Sequence, residues 1–228
     1  MSDAGPTPQE LAAMVDHTIL TPEATRSAVA DVVGVAASLG CASVCVQPAM
    51  VEYACEVAGG RVPVCAVVGF PHGAALSESK ALEAALAVAA GASEVDMVAD
   101  LSAIADGDDH AVGADVARVR AAIPNTVLKV ILESAIWSDV QLRAAVDAAV
   151  GAGADFVKTS TGFHPSGGAS IEAVSLMSEV AGDRARVKAS GGIRDLEAAV
   201  AMIEAGADRL GLSGTQSILD EARAASSS

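Results

Sequence analysis

Short apolar runs recur along the whole chain at the spacing of one strand and one helix. The β-like runs are Val15–Leu20, Ala42–Val46, Val62–Val68, Ser93–Val98, Thr126–Leu132, Ala154–Lys158, Ala185–Ala189 and Asp208–Leu212. Between them lie alanine-rich segments with helical period. Thr21-Pro22 reads as an N-cap with proline at the first helical position, Ser138-Asp139-Val140-Gln141 as a capping box, and Asp195 as the cap of a helix running to Glu204. Gly40, Gly91, Gly151 and Gly206 fall where helices should end in the left-handed conformation. The joints "GCASVCV", "GASEVDMV", "GADFVKTS" and "GADRLGLS" repeat a glycine and a small residue leading into a strand. Eight strand–helix units of roughly 30 residues predict a single (β/α)8 TIM barrel over residues 1–228. A doubly wound sheet is the rival, but no G-x-G-x-x-G follows the first strand. The first few residues and the final Ala-Ala-Ser-Ser-Ser lie outside the pattern and read as loose ends.

A few charged residues interrupt the apolar runs. They are Asp96 in "EVDMV", Lys129 and Glu133 in "LKVILE", Lys158 in "DFVKTS" and Lys188 in "RVKAS". Asp96, Lys129, Lys158 and Lys188 follow one another at 33, 29 and 30 residues, once per unit. In a parallel barrel such residues converge on the mouth at the C-terminal ends of the strands. Period two also puts Lys129 and Glu133 on one inward face. A buried ammonium is costly unless it is paired or used. For Lys129, deep in its strand, a structural ion-pair layer explains the residue at least as well as chemistry, with Glu133 holding a lysine in place. Lys158 and Lys188 are different, because like charges at one level on adjacent strands repel. A neighbouring cation and partial burial lower a lysine's pKa, which leaves an amine able to attack a carbonyl and form a Schiff base. Asp96 stands beside them as a proton shuttle acting through a water.

The segments after these strands carry a second signal. Lys158 leads into Thr-Ser-Thr-Gly, Lys188 into Ala-Ser-Gly-Gly, and the last strand into "GLSGT". Glycines and small hydroxyls that feed helix N-termini expose backbone N–H groups suited to phosphate. The residues alone therefore point to a Schiff-base enzyme acting on a phosphorylated carbonyl compound.

Composition removes other classes. A net charge of −15 with 2% aromatic residues disfavours nucleic acid and anionic membranes, since phosphate neutralisation and stacking platforms are both missing. The chain is 52% hydrophobic, but charges and glycines break every apolar run short of a membrane span. The start, Met-Ser-Asp-Ala-Gly-Pro, lacks the features of a signal peptide, so a cytoplasmic location is expected. Cys41, Cys45, Cys55 and Cys65 show no C-x-x-C spacing and read as free thiols in a reducing compartment rather than a zinc site. The four lysines stand against 29 acidic residues, a bias that suits concentrated salt or reflects compositional drift. Among the histidines, His72 reads as a turn residue, His17 as hydrogen-bonded near the bottom or rim, His110 as exposed, and His164 as the one placed to approach a ligand. Trp137 reads as packing at a helix start.

Six motifs, "DHTIL", "VVGFPHG", "EVDMV", "LKVILE", "ADFVKTSTGF" and "VKASGGIR", together resemble the deoxyribose-phosphate aldolases, a class I aldolase family. The resemblance covers nearly the whole chain in the family's order and spacing. It implies reversible cleavage of 2-deoxy-D-ribose 5-phosphate to D-glyceraldehyde 3-phosphate and acetaldehyde, with no metal or organic cofactor. It also implies Lys158 as the Schiff-base lysine, Lys188 as the lysine that tunes it, and Asp96 as the acid/base partner. Thr161, Gly162, Gly191, Gly192, Ser213 and Gly214 would hold the phosphate, and Asp16, Lys129 and Glu133 would form a supporting polar network. Homodimers or homotetramers are expected. In three places the chain departs from the family's pattern. Asp100 stands where asparagine is frequent, Ser213-Gly214 where two serines are frequent, and the tail "EARAASSS" has no tyrosine, the only one being Tyr53. Slower proton transfer at the acetaldehyde methyl is the expected result of the last. The rival readings are another Schiff-base phosphosugar aldolase or transaldolase-like barrel, a non-covalent phosphosugar isomerase, and a catalytically silent sugar-phosphate-binding barrel.

Overall fold

The structure, a computed structural model, describes residues 6–226. Eight parallel strands close into a barrel in sequence order: β1 Val15–Ile19, β2 Ser43–Val46, β3 Val64–Val68, β4 Glu94–Val98, β5 Val127–Ile131, β6 Phe156–Lys158, β7 Arg186–Ser190 and β8 Arg209–Leu212. β8 pairs with β1 through Val15, Asp16 and His17. Ten α-helices surround the barrel among the described residues: α1 Pro8–Ala13, α2 Arg26–Leu39, α3 Val51–Ala58, α4 Ser77–Ala89, α5 Leu101–Asp106, α6 Asp109–Ala122, α7 Asp139–Gly151, α8 Ile171–Ala181, α9 Leu196–Glu204 and α10 Thr215–Ser226. This is a (β/α)8 TIM barrel.

The apolar residues divide according to strand alternation. Val44, Val46, Val64, Ala66, Val95, Met97, Leu128, Val130, Val157, Val187 and Leu210 belong to the large core between strands and helices. A small separate cluster of Leu20, Cys45, Cys65 and Val67, with Phe70 against it, comes from the intervening positions on the first three strands and their loops. The charged residues occupy the same inward-facing alternation on β1, through Asp16, and on β4 to β8, which is why their side chains meet.

Several helix boundaries form as their residues dictate. Ser138 and Gln141 make a reciprocal capping box, Asp195 accepts the Ala198 N–H, and Gly40 ends α2 at φ 73°. Others differ from the expectation. Thr25, not Thr21, caps the second helix, because Thr21 and Pro22 lie in the turn that leaves β1. Gly151 remains within α7, Ala152 is the cap, and Gly153 takes the positive φ of 98°. Ala224–Ser226 continue α10 instead of fraying, while residues 1–5 and 227–228 of the expected loose ends lie outside the described residues. Among the described residues, no helix is long and apolar enough to cross a membrane.

Candidate active site

Strand register builds the centre. Asp96 is paired with Lys129 across β4 and β5, and Lys158 with Lys188 across β6 and β7. Asp96 then accepts from all three lysines: Oδ1 from Lys129 Nζ at 2.8 Å, and Oδ2 from both Lys158 and Lys188 Nζ at 2.7 Å. One carboxylate oxygen thus bridges two ammonium groups that would otherwise repel. Asp16, from β1, takes Lys188 at 2.5 Å and Arg209 at 2.5 Å, and also accepts from Ser43 Oγ. Lys129 reaches Glu94 at 2.6 Å and Asp16 at 3.4 Å. Asp16, Asp96, Lys129 and Lys188 are fully buried, whereas Lys158 keeps 3% exposure.

Burial pushes the Asp96 pKa upward, but Lys129, Lys158 and Lys188 outweigh it and hold the carboxyl well below the usual carboxylate range. Asp16 is likewise pushed up by burial and brought down further by Lys129, Lys188 and Arg209. Burial disfavours the charge on Lys188 and Lys129, yet Asp16 and Asp96 prevail and raise both above the ordinary lysine value. Asp16, Asp96, Lys129 and Lys188 are therefore ionised at neutral pH, with Lys188 a fixed cation beside Lys158.

Lys158 opens into a cleft of ≈ 590 Å³ at the C-terminal ends of the strands. Thr161, Gly162, Gly191, Gly192 and Ser213 line it, whereas Gly214 does not and serves instead as acceptor for the Ser217 hydroxyl at the start of α10. Gly162, Gly191 and Gly192 all have positive φ, between 82° and 86°, which turns successive backbone N–H groups along the rim. A second, polar hollow of ≈ 650 Å³, with Asp155, Arg184, Arg186 and Asp208 in its wall, contains none of the lysines.

Glu133 departs from the expectation. It lies beyond the end of β5, at φ 54°, and its carboxylate accepts from Thr161 Oγ1 at 2.7 Å and from the Thr161 N–H at 3.3 Å rather than from a lysine. A non-glycine residue in this conformation is strained, and here the strain turns an acid onto a rim residue. Asp100, singled out for its departure, caps α5 by accepting from the Ser102 and Ala103 N–H groups. His164 is half-buried in the loop after β6, where Nδ1 accepts from the Ser166 N–H, and it does not line the cleft. His17 is buried against Thr215 Oγ1 at 2.8 Å, and His72 and His110 are exposed. Trp137 donates its indole N–H to the Leu132 carbonyl.

Four participants were not singled out from the sequence: Glu94, Arg209, Ser43 and Arg194. Glu94 stands two residues before Asp96, so strand period alone places it on the same face. Arg209 and Ser43 needed the register of the closed barrel. Arg194, exposed on the cleft lining after Gly191-Gly192, follows a motif already recognised as a rim loop.

The cysteines are free. Cys45 and Cys65 are paired in register, and with Asp96 they place potential ligand atoms within 4.8 Å of one another. The donor set suits an ammonium better than a divalent metal. Lys129 Nζ donates to both Cys65 Sγ and Asp96 Oδ1, and Lys158 and Lys188 add two more positive charges on the other carboxylate oxygen.

Comparison with known proteins agrees with this geometry. The model of the DeoC/LacD family aldolases matches residues 11–220. Deoxyribose-phosphate aldolase from Kocuria rhizophila is 59% identical over 212 residues, covering 92% of this chain and 96% of that protein. Its counterpart from Mycobacterium avium is 57% identical over 219 residues, covering 94% and 98%. Among solved structures, the tetrameric deoxyribose phosphate aldolase from Aeropyrum pernix superposes with a TM-score of 0.89 at 36% identity, covering 96% of this chain and 93% of that one. With its register-built lysine centre, its rim of glycines and these relatives along nearly its full length, the chain belongs to the DeoC/LacD aldolase family, among the deoxyribose-phosphate aldolases, and is a carbon–carbon lyase.

Proposed function

We propose that residues 1–228 act as one catalytic unit that reversibly cleaves 2-deoxy-D-ribose 5-phosphate through an imine on Lys158. The observation that carries the reading is the shared Asp96 Oδ2, which binds Lys158 and Lys188 at equal distance while only Lys158 reaches the cleft. Inside the barrel, the carboxylates Asp16, Glu94 and Asp96 face Lys129, Lys158, Lys188 and Arg209, one cation in excess. Lys158 makes one ion pair among the described residues, against two for Lys188 and three for Lys129. Lys158 is thus the least tied of the three amines and the one that lines the cleft.

The neutral amine adds to C1 of the open-chain sugar, and loss of water gives an iminium. A water held by Asp96 takes the C3 hydroxyl proton, and the C2–C3 electron pair moves into the iminium. Glyceraldehyde 3-phosphate leaves, and an enamine remains on Lys158. Protonation at C2 and hydrolysis then release acetaldehyde and restore the amine. Lys188 and Lys129 stay positive and offset the Asp96 charge. The glycine rim, Thr161 and Arg194 face the phosphate. The iminium is the electron sink, so this sequence of steps draws on no metal or organic cofactor.

Exposed Leu76, Leu82 and Leu86 on and beside α4 support a homodimeric or homotetrameric assembly, in keeping with the tetrameric relative. The unpaired thiols support a reducing cytoplasm. The acidic outer surface supports a small-molecule partner rather than nucleic acid.

Borohydride reduction in the presence of 2-deoxyribose 5-phosphate, followed by peptide mass mapping, tests the reading. The expected adduct sits on the peptide containing Lys158 and is absent in Lys158→Met, whose kcat falls by about 10⁴-fold or more. Isomerisation of the sugar phosphate without acetaldehyde release, surviving in Lys158→Met without any adduct, would instead assign a non-covalent isomerase.

A further inference from the structure

Lys80 and Asp115 form a fully buried ion pair outside the barrel, between α4 and α6, at 2.8 Å. Neither touches the cleft. A buried pair is weak evidence for stability, because desolvation offsets the attraction. Its neighbours suggest another use. The carbons of the Lys80 side chain lie 3.2–3.3 Å from where a Cβ on Gly69 would stand, so the stem fills the space that only a glycine leaves open. Three residues along the helix, Glu83 accepts the Gly69 N–H at 2.8 Å. Asp115 Oδ2 accepts not only from Lys80 but also from the backbone N–H of Asp100 at 3.0 Å, just after the strand that carries Asp96. The two loops also interlock directly, since a Cβ on Gly73 would stand 2.1 Å from the Ala99 carbonyl oxygen.

The loop held in this way carries Phe70. Its ring packs on the apolar cluster of Leu20, Cys45, Cys65 and Val67, and meets Phe163 edge-on at 5.2 Å between centroids. Phe163 lines the cleft. A continuous chain of contacts therefore runs from Lys80 and Asp115 through Gly69 and Asp100 to Phe70 and on to the cleft wall.

We propose that Lys80 and Asp115 are positioning residues for the aldol site, fixing the loops after β3 and β4 so that Phe70 braces Phe163 against bound substrate. The proposal rests on the aldolase reading for its kinetic consequence and on the loops alone for its structural one. Lys80→Met by itself leaves a buried carboxylate unpaired and loses stability for that reason, so the informative variant is Lys80→Met/Asp115→Leu, which removes both charges and keeps the volume. A loosened wall weakens ground-state and transition-state binding alike. KM for 2-deoxyribose 5-phosphate is expected to rise about tenfold while kcat stays within about threefold. Amide hydrogen exchange at Gly69 and Phe70 should quicken at least about tenfold, while Tm falls by only a few degrees, the effect of the lost acceptor for the Asp100 N–H. Borohydride trapping on Lys158 should persist at saturating substrate. Wild-type KM and wild-type exchange in the double variant would show the pair to be structural only and overturn the proposal. If the wild type itself gives no borohydride adduct, the aldolase reading fails, and unchanged or faster exchange at Gly69 still decides the positioning role.

Discussion

Asp96 sits where the chemistry and the stability of the barrel meet. It is fully buried, it accepts from three lysines, and the Cys65 thiol also points at its Oδ1 at 3.1 Å. Among the described residues, Asp96→Asn removes the only carboxylate that Lys158 contacts and one of the two that hold Lys188. Equilibrium denaturation should show a loss of about 3–5 kcal/mol, the cost of leaving buried charge without its partner. Activity should fall even in the fraction that stays folded, and a variant as stable as the wild type would contradict this account of the network. The chemical residues were legible in the sequence because a lysine inside an apolar run needs a reason. Their partners were less so. Which oxygen bridges which ammonium depends on barrel register, and Glu133 was misjudged because its left-handed backbone turns the side chain to Thr161, a conformation that no sequence period announces.

At the scale of elements, the strands were placed almost to the residue, since most of the apolar runs have a glycine, a proline or a charge within about two residues of an end. Seven of the observed strands are the expected runs trimmed by a residue or two, as at β6, where Ala154 and Asp155 belong to the approach, whereas β7 is shifted by one residue and gains Ser190. Helix starts followed the cap chemistry where one candidate existed and failed where two threonines competed, at Thr21 and Thr25. Loop packing at the rim was not legible, because it depends on backbone meeting backbone. The loop after β6 lies across the end of β7: Ala169 N–H reaches the Ser190 and Gly191 carbonyls, and a Cβ on Gly168 would stand 2.2 Å from the Gly191 oxygen. Gly168→Ala must therefore push two rim segments apart. The expected result is a destabilisation of about 2 kcal/mol or more in thermal or chemical denaturation, together with weaker phosphate binding in calorimetry with inorganic phosphate. Unaltered phosphate affinity would separate this crossing from the phosphate site.

For the whole molecule, the direction of each shifted pKa defines a pH window. Asp16 and Asp96 lie below their unfolded values, so their contribution to stability is complete above about pH 4 and is lost as pH falls towards the depressed folded values. Lys129 and Lys188 lie above theirs, so their contribution is complete below about pH 10.4 and is lost as pH rises towards the raised folded values. His17, whose pKa is lowered first by burial, adds a smaller loss as pH drops below about 6.5. Denaturation midpoints measured from pH 3 to pH 11 should trace a plateau with a steep acid edge, and a flat profile through pH 3 would contradict the buried network.

The placement of the lysines has a consequence for life among aldehydes. All four lysine side chains are buried, and Lys158 alone keeps any exposure, so the positive charges of the outer surface are arginines. Arginine does not form simple imines with aldehydes, whereas surface lysines do so indiscriminately. Both products expected of this enzyme are aldehydes. A molecule whose side-chain amines are all withdrawn, except the one at the bottom of the cleft, is protected from random adducts and crosslinks by its own chemistry, and glutaraldehyde or an amine-reactive support would find no lysine on its outside to hold.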